Sequence, residues 1–289
     1  MRLEKFIEKA KQLRVLGVKI TQNGKEIGRW LAEDEMRRNI YSGTKSYVSF
    51  AVGRAVQEGL LSLDEKLTDV FADELPETVS ENLQKATVRD LLTMRLGQAT
   101  SELMASRRTT LNRNDWVRYS LSLPFPSAPG EAFVYSNVGP YLAGVLVQRR
   151  AGCTLTDYLM PRLFQPLGIQ LPTWELDPLG NSFGGSGLML TISEYHKLGL
   201  LYLQKGVWQG KRLIAEEWVE ESGKALYADG PGYGYLFWRG EYNSYRADGM
   251  YGQLCIIFPD HNAVVTTVSE SRDPQSVLRA IYDEICPQF

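Results

Sequence analysis

The sequence YSGTKSYVSFAVGRAVQEGL, at residues 41–60, places a serine and a lysine at the start of a helical segment. From Lys45 to Leu60 the apolar residues recur at every third or fourth position, which predicts a helix with one apolar face. Ser42 and Lys45 stand three positions apart, a spacing that puts two side chains on the same face of a helix. The segment therefore predicts a helix that packs by one face and carries these two side chains together at its N-terminus.

The residues before this segment predict a helix followed by a β-hairpin. Apolar positions in residues 3–13 have helical spacing. Two strand-like stretches follow, Val15–Thr21 and Glu26–Leu31, and they flank Asn23-Gly24. This dipeptide suits a tight hairpin turn, because both residues tolerate a positive φ.

The C-terminal part of the sequence predicts further strands and a final helix. Strand-like patterns occupy Tyr233–Trp238, Leu254–Phe258 and Ala263–Ser269, turn residues stand at 259–260, and Ser276–Ile285 is helical in pattern. Strands at both ends of a chain with helices between them indicate the α+β class. We therefore predict an antiparallel sheet that the C-terminal strands complete, flanked by helices and interrupted by a helical insertion.

Length and composition are those of a globular protein with a full core. Of the 289 residues, 44% are hydrophobic and 23% are charged. No internal repeat or low-complexity linker divides the chain. We predict one domain over residues 1–289, with an α/β part at about 1–58 and 180–289 and a helical part at about 59–179.

Charge and hydropathy argue against nucleic-acid and membrane partners. The formal net charge is -2 and the pI is near 5.9, which favours a small-molecule substrate over nucleic acid. Residues 1–11 mix acids and bases where a signal peptide needs an apolar run, and the apolar stretch Tyr141–Val147 is too short to cross a bilayer. We expect a cytoplasmic protein, and the sequence is silent on its oligomeric state.

Cysteine and histidine usage argues against disulfides and metal sites. Cys153, Cys255 and Cys286 are widely spaced and form no C-x-x-C pair, so we expect them to be reduced. Two histidines without an H-E-x-x-H motif do not make an ordinary zinc site. We therefore expect catalysis without a metal or another cofactor.

Ser42 and Lys45 are candidates for nucleophilic catalysis. A serine hydroxyl becomes a nucleophile when a neighbouring base takes its proton. Desolvation disfavours the charged form of a lysine, so a buried Lys45 would serve as that base near neutral pH, while the helix N-terminus favours negative charge nearby. A bare S-x-x-K also arises by chance, and the alternative interpretation is an N-cap serine followed by an exposed lysine.

Two further stretches carry candidate site residues. In Tyr135-Ser136-Asn137, we expect the phenol of Tyr135 to have a lowered pKa beside an ammonium group and to shuttle a proton, while the Asn137 amide orients lysine and substrate. The sequence ADGMYGQ at 247–253 enters the strand Leu254–Phe258, where small residues allow a substrate carbonyl to approach. The alternative interpretations are a surface turn and an ordinary glycine turn.

Taken in order, the three motifs resemble those of the serine β-lactamase and penicillin-binding-protein superfamily, in particular its class C and esterase branch. The resemblance spans nearly the whole chain, and its framing blocks are Gly59–Asp64, Thr87–Met94, Phe164–Ile169, Gly184–Leu188 and Gly232–Tyr235. It implies a β-lactamase/transpeptidase-like fold in which the serine is acylated and the lysine and tyrosine move protons. Carried over, these roles fall on Ser42, Lys45 and Tyr135, with Asn137 as a substrate-orienting residue.

The third motif departs from that pattern. Penicillin-handling relatives usually have Lys-Thr-Gly or His-x-Gly where this chain has Ala247-Asp248-Gly249, so the cation that would hold a β-lactam carboxylate is missing. The resemblance then implies a serine hydrolase of a small ester or amide, esterase-like, with weak or no β-lactamase activity. Asp248 and Gly249 would face an uncharged or cationic acyl substrate, and the backbone N–H groups of Ser42 and Met250 would form the oxyanion hole.

Other functions stay open at this level. A D-amino-acid peptidase or carboxypeptidase that acts on peptide fragments would use the same mechanism. A non-catalytic, penicillin-binding-like sensor would keep the fold without a need for the three proton-transfer residues. A Ser-His-Asp triad is disfavoured, because His196 lies in a helical segment, His261 lies in a turn and no G-x-S-x-G motif is present.

Overall fold

An antiparallel sheet of six strands forms the frame of the molecule in the computed structural model, which describes residues 1–229 and 232–289. From one edge to the other the strands are β2 (Lys25–Leu31), β1 (Val15–Gln22), β10 (Ala263–Ser269), β9 (Gln253–Phe258), β8 (Tyr245–Gly249) and β7 (Trp238–Arg239). Two small ladders pair β3 (Arg38–Asn39) with β4 (Met189–Leu190) and β5 (Val207–Trp208) with β6 (Lys211–Arg212). The predicted α+β class with an antiparallel sheet is confirmed.

The helices flank the sheet and fill the middle of the chain. They are α1 (Glu4–Gln12), α2 (Thr44–Gln57), α3 (Leu67–Val70), α4 (Glu81–Lys85), α5 (Val88–Leu92), α6 (Ala105–Arg108), α7 (Trp116–Ser122), α8 (Val138–Ala151), α9 (Leu155–Leu159), α10 (Ile192–Leu203), α11 (Glu216–Gly223) and α12 (Pro274–Glu284). In the part of the chain that the structure describes, no helix has both the length and the apolar character that a membrane span requires. That the whole chain is a single domain stays a prediction.

The predicted N-terminal hairpin is confirmed with its turn. β1 and β2 pair in antiparallel fashion, with Gln22 opposite Lys25. The two residues between them, Asn23 and Gly24, have φ values of 51° and 74°. Such positive φ values match the right-handed twist of the flanking strands, which explains the Asn-Gly dipeptide at this position.

The two faces of the sheet belong to two hydrophobic clusters. Along β9, Leu254 and Ile256 pack with α1 and α12, whereas Cys255 and Ile257 pack into the larger cluster of the helical region. This division follows from the alternation of side chains along a strand. Because β9 is covered on both faces, all six of its residues are buried.

The segment around residue 236 departs from the predicted strand Tyr233–Trp238. Only Trp238 and Arg239 form a strand there, with an isolated bridge between Tyr233 and Trp238. Leu236 has a φ of 61°, so the backbone turns within the segment instead of extending. The side chain of Leu236 is nevertheless buried. A run of buried apolar residues has the same sequence pattern in a turn as in a buried strand, which explains the wrong prediction.

Candidate active site

Ser42 lies in a tight turn between β3 and α2. Residues Tyr41–Gly43 form one turn of 3-10 helix, and Tyr41 has a φ of 48°, an uncommon conformation for a residue with a side chain. The backbone N–H of Tyr41 donates to Oδ1 of Asn39 at 2.7 Å, which helps to hold this conformation. Gly43 is required next to Ser42, because a Cβ there would lie 2.4 Å from the hydroxyl oxygen of Tyr195. The surroundings therefore fix the backbone on both sides of Ser42.

Lys45 follows in the first turn of α2 and is buried with 1% of its surface exposed. Its Nζ lies 2.9 Å from Oγ of Ser42 and donates to the carbonyl oxygen of Gly185 at 2.8 Å. Burial lowers the pKa of Lys45 to about 7, the positive charge of Arg108 adds to this effect, and the carboxylate of Asp248 opposes it. A substantial fraction of Lys45 is thus neutral at neutral pH and able to accept a proton.

Tyr135 lies next to Lys45, with its ring facing the amine. The distance from Lys45 Nζ to the centroid of the Tyr135 ring is 4.9 Å. Burial raises the pKa of Tyr135 well above its ordinary value, although hydrogen bonds with Ser42 and Trp238 act in the opposite direction. The predicted lowering of this pKa is wrong, since the loss of hydration outweighs the effect of a lysine that is itself partly neutral. Tyr135 is therefore a protonated phenol.

Asn137 lies behind the lysine. It is the N-cap residue of α8, and its Nδ2 donates to the carbonyl oxygen of Leu103 at 2.8 Å. A Cβ on Gly185 would lie 2.7 Å from Cγ of Asn137, so the amide packs directly against the residue whose carbonyl accepts from Lys45. Asn137 thus supports the position of Lys45 through Gly185.

The third motif lies at the end of a strand that the sequence analysis did not predict. Asp248 and Gly249 end β8, and Met250 begins a short 3-10 turn before β9. The motif therefore closes β8 and, through Gln253, enters β9 as predicted, whereas β8 itself was missed. A Cβ on Gly249 would lie 2.1 Å from the carbonyl oxygen of Ile40. Only glycine permits this approach of β8 to the turn that carries Ser42.

These elements enclose a pocket of about 290 Å³. It is lined by Ser42, Met104, Tyr135, Trp238, Arg246, Asp248, Met250 and Gln275. The structure thus brings together five of the seven predicted site residues at one surface, namely Ser42, Tyr135, Asp248 and Met250 as lining residues and Lys45 as a hydrogen-bond partner of Ser42. Asn137 and Gly249 lie just behind the surface.

Arg246 is a pocket residue that the sequence analysis missed. Its Nε donates to Oδ2 of Asp248 at 2.7 Å, and its Nη1 donates to the carbonyl oxygen of Arg239 at 2.9 Å. Arg246 and Asp248 stand two positions apart on β8, and such residues point to the same face of a strand. The third motif itself has no cation, as the sequence analysis stated, but Arg246, one position before it on β8, brings a cation to the pocket wall. Prediction of β8 would have revealed this pair.

Neither of the two histidines lines the pocket. His196 is buried in α10, and its two ring nitrogens lie 2.8 Å from the hydroxyl oxygens of Thr21 and Thr266. Its hydrogen-bonding capacity is thus used within the core. The part of the chain that the structure describes contains no cluster of three or more His, Cys, Asp or Glu that could hold a metal ion.

A serine that is hydrogen-bonded to a buried lysine, with a tyrosine beside it, is an arrangement in which a serine hydroxyl can be activated without a histidine. Comparison with known proteins identifies the family. The family model described as Beta-lactamase matches residues 3–285. The chain therefore belongs to the beta-lactamase family and is a serine hydrolase of the β-lactamase fold.

Individual relatives agree with this assignment. An uncharacterized protein of Alkalihalophilus pseudofirmus is 25% identical over 276 residues, which cover 83% of this chain and 75% of the relative. A Bacillus anthracis protein assigned as a 6-aminohexanoate-dimer hydrolase superimposes with a TM-score of 0.81 at 17% identity, covering 96% of this chain and 80% of the other. A penicillin-binding protein from Bacillus halodurans superimposes with a TM-score of 0.74 at 19% identity, covering 96% and 98%. These structures share the fold.

Proposed function

We propose that the protein hydrolyses a small ester or amide through an acyl-enzyme on Ser42, with Lys45 as the base. The observation that supports this most directly is the 2.9 Å contact between Lys45 Nζ and Ser42 Oγ. It joins a potential nucleophile to an amine whose pKa is lowered to about 7 by burial. A general base is most effective when its pKa lies near the pH at which it works.

In the acylation step, neutral Lys45 accepts the proton of Ser42 while Oγ attacks the substrate carbonyl carbon. The Gly185 carbonyl, which accepts from Lys45 at 2.8 Å, stabilises the ammonium group that forms. Tyr135, held as a protonated phenol, donates its proton to the leaving oxygen or nitrogen as that bond breaks, and Lys45 returns a proton to Tyr135. Ser42 is then acylated and the leaving group is neutral.

Deacylation uses the same groups with water as the nucleophile. Neutral Lys45 takes a proton from the water as its oxygen attacks the acyl carbon. Tyr135 donates its proton to Ser42 Oγ as the bond between Oγ and the acyl carbon breaks, and Lys45 then returns a proton to Tyr135, so that the acid is released and Ser42 is restored. We propose the backbone N–H groups of Ser42 and Met250 as donors to the oxyanion in both steps. Met250 supports this role by its place, since it lines the pocket and follows Gly249 at the point where β8 meets the Ser42 turn.

The proposed substrate is a small, uncharged acyl compound, and we expect β-lactam turnover to be weak or absent. The pocket of about 290 Å³ suits a short acyl group. Its wall includes Trp238, whose ring centroid lies 5.2 Å from that of Tyr135. The likeness to a 6-aminohexanoate-dimer hydrolase supports small amides as a second substrate type. A cytoplasmic location is part of this proposal.

Replacement of the nucleophile tests the proposal. Ser42→Ala should abolish hydrolysis of an activated short-chain ester while the fold is retained, because the covalent route is lost and no core cavity is opened. The measurements are ester turnover and circular dichroism, together with intact mass and peptide mapping of wild type after exposure to the ester and to a penicillin. A mass adduct on Ser42 with only one of the two compounds identifies the substrate class. Retained turnover in folded Ser42→Ala would refute the mechanism.

A further inference from the structure

The charged pair in the pocket wall is built as a unit. Asp248 accepts from Arg246 Nε at 2.7 Å, and the Arg246 side chain is 10% exposed while that of Asp248 is 23% exposed. The guanidinium is also anchored at Nη1 by the carbonyl oxygen of Arg239. Among the residues that the structure describes, none accepts a hydrogen bond from Nη2 of Arg246. The pair is therefore rigid, close to neutral and not saturated in hydrogen bonds.

The position of the pair gives it access to substrate. Arg246 and Asp248 line the same pocket as Ser42, and β8 leads directly to Gly249 against the Ser42 turn. A substrate carboxylate that approached Arg246 would also approach the carboxylate of Asp248. In a partly buried site such a like-charge contact is costly, whereas a neutral group meets only the dipole of the ion pair.

We propose that Asp248 masks Arg246, and that this ion pair makes the pocket select against substrates whose acyl group carries a carboxylate. The inference rests on the proposed hydrolysis at Ser42 and adds a specificity determinant to it. Arg246 is then a latent anion-binding group, and the single carboxyl group of Asp248 decides whether the pocket accepts neutral or anionic acyl compounds.

Two matched esters measure this selectivity. 4-Nitrophenyl hexanoate and mono-4-nitrophenyl adipate carry acyl chains of the same length and differ by a terminal carboxylate. The readout is the ratio of kcat/KM for the adipate ester to that for the hexanoate ester. A ratio is needed because Asp248 also acts on the pKa of Lys45, an effect that changes both rates alike. We expect wild type to favour the hexanoate ester by about 10-fold or more.

The two partners should move the ratio in opposite directions. Asp248→Asn releases Arg246 and should raise the ratio by about 10-fold, while Arg246→Gln leaves Asp248 unopposed and should lower it below that of wild type. In the double variant Arg246→Gln/Asp248→Asn the ratio should exceed that of Arg246→Gln and stay below that of Asp248→Asn. If the two residues only supported the fold, the adipate-to-hexanoate ratio would change in the same direction in Asp248→Asn and Arg246→Gln, or would change in neither variant.

A surface variant controls for net charge. Glu216→Gln removes one negative charge from α11, where Glu216 pairs with Lys205 away from the pocket, and it should keep the wild-type ratio. If Asp248→Asn does not fold, the comparison of Arg246→Gln with the double variant still isolates the carboxylate of Asp248.

The possible outcomes separate this inference from the function on which it rests. Turnover that depends on Ser42, with the same ratio in wild type, Asp248→Asn and Arg246→Gln, would overturn the selectivity and leave the hydrolase intact. A wild-type preference for the adipate ester would overturn it as well. Absence of Ser42-dependent turnover of both esters would refute the proposed function, and the selectivity with it.

Discussion

At the scale of single residues, burial has opposite effects on the two proton-transfer side chains. Loss of hydration disfavours whichever form of a group is charged, so it lowers the pKa of Lys45 and raises that of Tyr135. Near pH 7 a substantial fraction of Lys45 is consequently a neutral amine, and Tyr135 is a neutral phenol. The pair thus holds one acceptor and one donor of protons, which is the combination that acyl transfer requires.

The pH dependence of the reaction follows from Lys45. Because the neutral amine of Lys45 is the proposed base, kcat/KM for an activated ester should rise about tenfold per pH unit below pH 7 and level off above it, with an apparent pKa of about 7. The measurement is kcat/KM between pH 5 and 9, corrected with Ser42→Ala as the background. A rate that is flat over this range, or one that rises only above pH 9, would show that Lys45 is not the base.

Lys45 and Tyr135 should also behave as one unit in mutagenesis. Lys45→Ala and Tyr135→Phe should each lower kcat by roughly 10²- to 10⁴-fold, and the double variant should be little worse than either, since effects of groups that act together are not additive. Tyr135→Phe should also slow deacylation, so an acyl-enzyme on Ser42 should accumulate and be visible by mass spectrometry. Losses that multiply, or a Tyr135→Phe enzyme close to wild type, would mean that Tyr135 is only a wall of the pocket.

At the scale of helices and strands, the sequence predicted those elements whose formation depends on residues close together in the chain. The N-terminal hairpin depends on its Asn-Gly turn and could be predicted from the sequence. The apolar spacing also predicted α2, but the expected packing by one face is wrong, because every residue from Thr44 to Gly53 is buried. β8 could not be predicted, because its five residues, YRADG, include two charged side chains on the face that lines the pocket. Those charges pair with each other at 2.7 Å within the strand, and charged residues on a covered face break the apolar alternation by which strands are recognised in a sequence.

At the candidate site too, the sequence predicted contacts between residues that are close in sequence and missed contacts between distant ones. The spacing of Ser42 and Lys45 on one helix face is local, and the sequence analysis placed both residues in one site. The contribution of Gly185 is not local, since its carbonyl meets Lys45 across 140 positions of sequence. The error over the pKa of Tyr135 has a similar origin, because the burial that raises this pKa depends on packing against residues far away in the sequence, such as Trp238, whose ring centroid lies 5.2 Å from that of Tyr135.

At the scale of the whole molecule, the sheet joins the two ends of the chain. β1 and β10 pair along their length, from Gly17 opposite Val268 to Gln22 opposite Ala263. Pairing of strands so far apart in the sequence has a large entropic cost of loop closure, and the packing of other elements against the sheet must offset this cost. α10 provides part of that packing, since it contacts β1, β9 and β10 on one face of the sheet. His196 is the residue of α10 that bonds to both terminal strands, through Thr21 and Thr266.

This arrangement predicts how the stability of the whole molecule depends on pH. Burial lowers the pKa of His196 from 6.5 to about 3, with a smaller effect of the positive charge on Lys19. Between these values the unfolded chain binds a proton that the folded protein does not, so the stabilisation is complete above pH 6.5 and is lost as the pH falls. From pH 6.5 to 5 the free energy of unfolding should decrease by about 2 kcal/mol on account of this residue.

Urea unfolding at pH 7, 6 and 5 measures this effect, with the change of stability with pH as the readout. His196→Gln should be less stable than wild type at pH 7 but should lose less stability toward pH 5, because its amide does not titrate. The matched control is His261→Gln, which removes the protein's other histidine, from the turn that follows β9, and tests whether the change is specific to the buried position of His196. Equal losses in wild type and His196→Gln would mean that other groups govern unfolding in this range. Since His196 bonds to β1 and β10 together, a steeper loss in wild type would show that protonation at one buried ring weakens the joint between the two ends of the chain.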